Sequence, residues 1–123
     1  MSALLVCSQC MPEHLRAEVD KLESELATVY PADGIDAAEA ERIAQAYMNE
    51  YVAGCGAPNP PVLQGKTWMF ELRLGYAGQP SNKRVGVDAE TGAVQGAGGP
   101  LFKTFQEFKE NVVSDYVKRR KHL

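Results

Sequence analysis

"KTWMFELRL", residues 66–74, alternates strictly between apolar and mixed positions. Trp68, Phe70, Leu72 and Leu74 fall on one side of an extended chain; Thr67, Met69, Glu71 and Arg73 fall on the other. Successive side chains of a strand point to opposite faces, so this period of two predicts a strand buried on one face. A strand of that kind belongs to an antiparallel sheet. Trp68, the single tryptophan, is then a core residue before it is a binding residue.

Downstream, "GYAGQPSN" (75–82) reads as a turn or short excursion. "KRVGVDAETGAVQGAG" (83–98) reads as a hairpin, with a strand over 83–88, a turn at Ala89-Glu90-Thr91-Gly92 and a short second strand. "GAGGP" (96–100) reads as a hinge before a last helix. Thr104 and Glu107 have the spacing of a capping box, and Phe105, Phe108, Val112 and Tyr116 would face the core. The basic tail "KRRKHL" (118–123) places cations favourably at a helix C-terminus.

Upstream the period changes to that of helices. Over residues 12–30, Leu15, Val19, Leu22, Leu26 and Val29 recur at four-three-four-three spacing, with Pro12 suited to a first turn and Pro31 to a stop. Asp36 and Glu39 form a second capping-box pattern, followed by a stripe of Ala40, Ile43, Ala44, Tyr47, Met48 and Tyr51, with Gly54 as the C-terminal glycine. "CGAPNPP" (55–61) reads as a loop because its prolines oppose regular structure. The expected fold is α+β in the order α-α-β-β-β-α: a small antiparallel sheet of about three strands with helices on one face. A single domain is expected over 1–123, with 1–11 a frayed N-terminal segment.

The 123 residues are 45 % hydrophobic and 24 % charged, enough to bury a core without staples. The net charge of −3 is unevenly spread. Residues 1–65 carry ten acids and three bases, net −7, and residues 66–123 carry ten bases and six acids, net +4. Such asymmetry can steer a charged partner or favour self-association. No segment is long or apolar enough to span a membrane, and "MSALLV" lacks the basic start of a secretory signal, so a cytoplasmic location with reduced thiols is expected.

Chemistry-bearing patterns are sparse. Cys7, Cys10, His14 and Cys55 are the candidate metal ligands, but a zinc site wants a second paired half beside Cys7-Ser8-Gln9-Cys10, and no metal or cofactor is expected. Redox catalysis would need the CxxC motif after a strand and opening a helix, a scaffold that six preceding residues do not supply. His14 and His122 are the only histidines, and no nucleophile motif accompanies them. Neither Glu71 nor the pair Asp88 and Glu90 is placed in a pocket by the sequence. The basic tail lacks aromatic interleaving and the chain is net acidic, so nucleic acid is not the expected partner.

Residues 37–97 resemble a known pattern. An alanine-rich helix ("AAEAERIAQAYM") precedes a Trp-x-Phe strand ("GKTWMFELRLGYAG") and a Val-Asp-x-x-Thr-Gly-x-Val hairpin ("VGVDAETGAVQGAG"). This order resembles PepSY-like domains and the small immunity domains of bacterial toxin systems, including the YrhB-like and NTF2-fold groups. The resemblance implies that the Trp strand and the Asp–Thr–Gly hairpin are structural and non-catalytic. The extra N-terminal helix, the acidic front half and the basic-ended last helix depart from it.

The function expected is therefore non-catalytic protein binding, with an immunity-type toxin partner as one form. Glu39, Glu41 and Glu50 would meet a basic surface, and Tyr76 is a further contact candidate. The alternative is a small-molecule binder or enzyme with a pocket on the sheet near Trp68, lined by Phe70 or Tyr47. A homodimer through the 15–29 stripe is a third reading.

Overall fold

A computed structural model describes residues 13–120. Helix α1 spans Glu13–Leu26 and α2 spans Ala37–Tyr51, with a 3-10 turn at Pro31–Asp33 between them. Five strands follow: β1 (Gly56–Pro58), β2 (Val62–Gln64), β3 (Thr67–Leu74), β4 (Gln79–Asp88) and β5 (Val94–Gly96). Helix α3, Phe105–Arg120, completes the described chain. The fold is α+β with one antiparallel sheet.

β3 is the middle of the sheet. One edge of it pairs with β4, and β4 with β5; the other edge pairs with β2 near its start and β1 near its end. The sheet thus has five strands where about three are expected. β1 and β2 arise inside the proline-rich stretch read as a loop. Proline cannot donate to a ladder, so it is confined to edges, and Pro58 stands on an edge strand here. The Asn59 amide still donates to the Glu71 carbonyl at 2.8 Å, and Pro60-Pro61 carries the chain from one short edge strand to the next.

The alternation of β3 sets the two faces. Phe70 pairs with Val85, Trp68 with Val87, and Val87 with Val94, all on the inner face. Met69 pairs with Gly86 on the outer face, where a Cβ at Gly86 would stand 3.1 Å from the Met69 sulfur. The strand expected over 83–88 begins earlier, at Gln79. The register slips there: Ser81, Asn82 and Lys83 together face Leu72, and the Ser81 hydroxyl donates to the Leu72 carbonyl at 2.7 Å. That side chain restores a bond the bulge removes from the ladder.

α2 lies on the inner face and meets β1, β3, β4 and β5; α1 and α3 pack on α2 and on each other. Ala40, Ile43, Ala44, Tyr47 and Met48 are fully buried against the sheet and α3. Phe102 and Phe108 stack at 5.5 Å, and both ring systems meet Tyr47. Burying side chains of this size contributes about 1.5–3 kcal/mol each before entropy is counted.

Several boundaries move. α1 ends at Leu26, not at the residue before Pro31. Thr28 turns its hydroxyl onto the Glu25 carbonyl at 2.7 Å, an alternative bond that competes with helix continuation. At the other helix, the Asp36 cap holds: its carboxylate accepts from the Glu39 amide at 2.8 Å, and Glu39 accepts from the Asp36 amide at 3.0 Å. α2 ends at Tyr51 with Val52 as its cap, before Gly54 is reached. The stretch 96–100 is a tied turn and not a hinge. The Tyr47 hydroxyl donates to the Pro100 carbonyl at 2.6 Å, Gly99 bonds back to Gly96, and Val94 and Phe102 exchange two backbone bonds of 3.0 Å. Lys118, Arg119 and Arg120 belong to α3, so the basic tail begins inside the last helix.

Candidate functional site

Residues of α1, α2 and α3 line a groove of about 640 Å³. Each helix supplies one periodic row to it. Glu18, Leu22 and Glu25 come from α1; Ala38, Arg42, Gln45 and Asn49 from α2; Val112, Tyr116 and Arg120 from α3. Residues three and four apart share a helix face, so these rows follow from the helical period. Lys21 and Glu41 also line it, and these two, with Glu25 and Arg42, have no side-chain partner among the described residues.

At its inner end stands Glu50, whose side chain is 3 % exposed. Arg120 donates to Glu50 Oε1 at 3.0 Å. Arg119 Nε lies 3.0 Å from Oε2, but without the alignment of a hydrogen bond, so that oxygen is ion-paired and not hydrogen-bonded. Burial pushes the Glu50 carboxyl up, and the two arginines oppose this without cancelling it. Two tyrosines extend the seam. Tyr51 donates to Asp115 at 2.5 Å, and Tyr116 donates to Glu18. Burial first, and then the neighbouring carboxylate, raise both phenols; that of Tyr116 is pushed up to about 12. The Arg120 guanidinium sits 3.8 Å from the centre of the Tyr116 ring, a cation–π contact.

The residues singled out from sequence are scattered. Glu41 is exposed on the groove wall. Glu39 is occupied by the capping box and by the Tyr30 amide at 3.1 Å, so its carboxylate holds a helix start together. Glu50 is buried against α3 and cannot be the open surface contact expected of it. Tyr76 is fully exposed on the β3–β4 turn, away from the groove. His14 is exposed on α1, and Cys55 is a half-buried free thiol after α2. Cys7 and Cys10, like the segment 1–11 as a whole, lie outside the described residues. No group of three or more His, Cys, Asp or Glu is placed to hold a metal among the described residues.

Near Trp68 the interior is filled. Tyr47 and Phe70 are fully buried, and the Trp68 indole donates to the Ile35 carbonyl at 2.8 Å. Of the 15–29 stripe, Leu15, Val19, Leu26 and Val29 are at most 4 % exposed, and Leu22 is half-buried on the groove wall. No described helix is long and apolar enough to cross a membrane.

The Glu50 seam escaped the reading of the sequence, although a signal was present. Ile43, Tyr47 and Glu50 follow four-three spacing, and Phe105, Phe108, Val112, Tyr116 and Arg119 follow three-four-four-three. Extending both apolar stripes by one step puts a carboxylate opposite a guanidinium.

No family matches. The comparisons with protein-family models, with curated proteins and with solved structures each returned no match.

Proposed function

We propose that this chain works by binding a protein partner and that the groove between α1 and α2 receives it. The observation that carries this reading is the placement of charge. The ten acids and three bases of the first half all fall between Glu13 and Glu50, the stretch of α1 and α2, and Glu18, Glu25, Glu41 and Glu50 line the groove beside Lys21, Arg42 and Arg120. The negative excess of the first half thus sits on α1 and α2 and their connection, and its groove carboxylates suit a basic surface. Glu25 and Glu41, with Lys21 and Arg42, stand on opposite walls without internal partners among the described residues, and such rim charges set register and on-rate in an interface. A toxin with a basic surface, occluded by this chain as an immunity-type protein, is one partner of this chemistry, in line with the resemblance of residues 37–97 to PepSY-like and immunity domains. Within that resemblance the Trp strand and the Asp–Thr–Gly hairpin are non-catalytic. The alternative of a ligand pocket near Trp68 has only the outer sheet face to use, where Thr67, Met69 and Gly86 line a concavity of about 420 Å³, because Tyr47 and Phe70 are buried on the inner face.

The test is capture of partners on the tagged chain from its host lysate, at low and high salt, beside a Glu25→Lys/Glu41→Lys double variant. The reading expects one stoichiometric partner that is lost at high salt and lost by the double variant. Equal capture by both chains, or none by either, would overturn it.

A further inference from the structure

We propose that the C-terminal half of α3, residues 113–120, is a latch held by hydrogen bonds and ion pairs that undocks from α1 and α2 as a unit while residues 105–112 stay in the core. The helix is fastened in two different ways along its length. Phe105, Phe108 and Val112 are at most 4 % exposed and belong to the hydrophobic core. Over residues 113–120 no residue is buried to that degree, and among them Val113 alone packs partly on the core. The second half is held instead by polar groups: Asp115 by Tyr51, Tyr116 by Glu18, and Arg119 and Arg120 by Glu50.

Two of these fastenings respond to the solvent. Arg119 is 61 % exposed, so added salt screens its attraction to Glu50. Glu50 itself is ionised at a cost, since burial outweighs its arginines. The charged groups around it are Asp115, Arg119 and Arg120 from α3, with the Tyr51 phenol from α2 and Glu18 from α1. Lys21, Glu25, Glu41 and Arg42 face the same groove. Undocking returns the Glu50 carboxyl toward its ordinary value of 4.5, so the docked form binds its proton more tightly. Docking is therefore favoured as pH falls through that raised window and weakened as pH rises through it. Because Tyr116 and Arg120 floor the groove, undocking deepens it and bares the carboxylates of Glu18 and Glu50.

Amide hydrogen exchange on the full chain tests this, comparing residues 113–120 with 105–112 as salt rises from about 0.05 to 0.5 M. Any helix end frays, so the readout is the response to salt and not the resting difference. The expected result is a fall in protection of about threefold or more over 113–120, with 105–112 unchanged. In Glu50→Gln the response should shrink to less than about twofold. Equal responses of the two halves, no response in either, or a full response retained in Glu50→Gln would each overturn the latch.

Discussion

Asp88 ends β4 and turns onto its own neighbours. Its Oδ1 accepts from the amides of Glu90 at 2.7 Å and Thr91 at 2.8 Å. Glu50 ends α2 and reaches across the fold to Arg120, 70 residues away. The first carboxylate is held well by donors, and its pKa is lowered, chiefly by the Thr91 amide. The second is held poorly, and burial raises its pKa against two arginines. Both are acids drawn into the structure, yet ionisation stabilises one site and strains the other. The turn is satisfied by its own donors; the carboxylate of the seam beside the groove is ionised against its burial.

The largest effect should come from the turn. Gly92 has φ +73°, and a Cβ there would stand 2.7 Å from the Phe105 Cβ. Gly92→Ala should lower stability by about 2–4 kcal/mol, read by urea unfolding. Asp88→Ala should cost about 1–2 kcal/mol, because it leaves two turn amides without their acceptor. A turn that tolerated both changes would show that its local bonds do not carry it.

On the seam the sign should reverse. Glu50→Gln should be neutral or stabilising by up to about 1 kcal/mol near neutral pH, since Arg119, at 61 % exposure, and Arg120, at 27 %, can keep their charges near water. A loss of 3 kcal/mol or so, as expected when a buried pair is broken, would refute this view of Glu50.

The pH dependences should oppose each other as well. Asp88 has a folded value below 3.8, so its contribution is complete above that value and is lost as pH falls through the folded one. Glu50 has a folded value above 4.5, so the fold gains stability as pH falls from the raised value toward 4.5. Thermal unfolding across pH should show Asp88→Asn flattening the acid limb and Glu50→Gln flattening the limb above 4.5. The smallest effect belongs to Lys66→Ala. The Lys66–Glu90 pair is 73 % and 63 % exposed, and its loss should change stability by less than about 0.5 kcal/mol.

What could be read from the sequence was local. The alternation of Trp68 to Leu74, the Asp36–Glu39 box and the Asp88–Gly92 turn depend on neighbours a few residues apart, and each formed as its spacing requires. β1 and β2 did not show themselves, because their pairing with β3 is a tertiary event and their prolines argue against strands everywhere except at an edge. The early end of α1 turned on a single Thr28 hydroxyl. The groove depends on how α1, α2 and α3 pack on one another, which no period records. Glu50 was visible as an acid but not as a buried one, since its partners lie at the far end of the chain.

The central claim is that the acidic helical groove, and not the sheet, meets the partner. Its most direct test is partner affinity for Glu41→Lys, on the groove wall, against Glu71→Lys, on the outer sheet face beside Arg84. Both variants change the charge equally. The account predicts at least about tenfold weaker binding for Glu41→Lys and less than about twofold change for Glu71→Lys. Equal losses would reduce the effect to net charge, and a larger loss for Glu71→Lys would place the interface on the sheet and contradict the account.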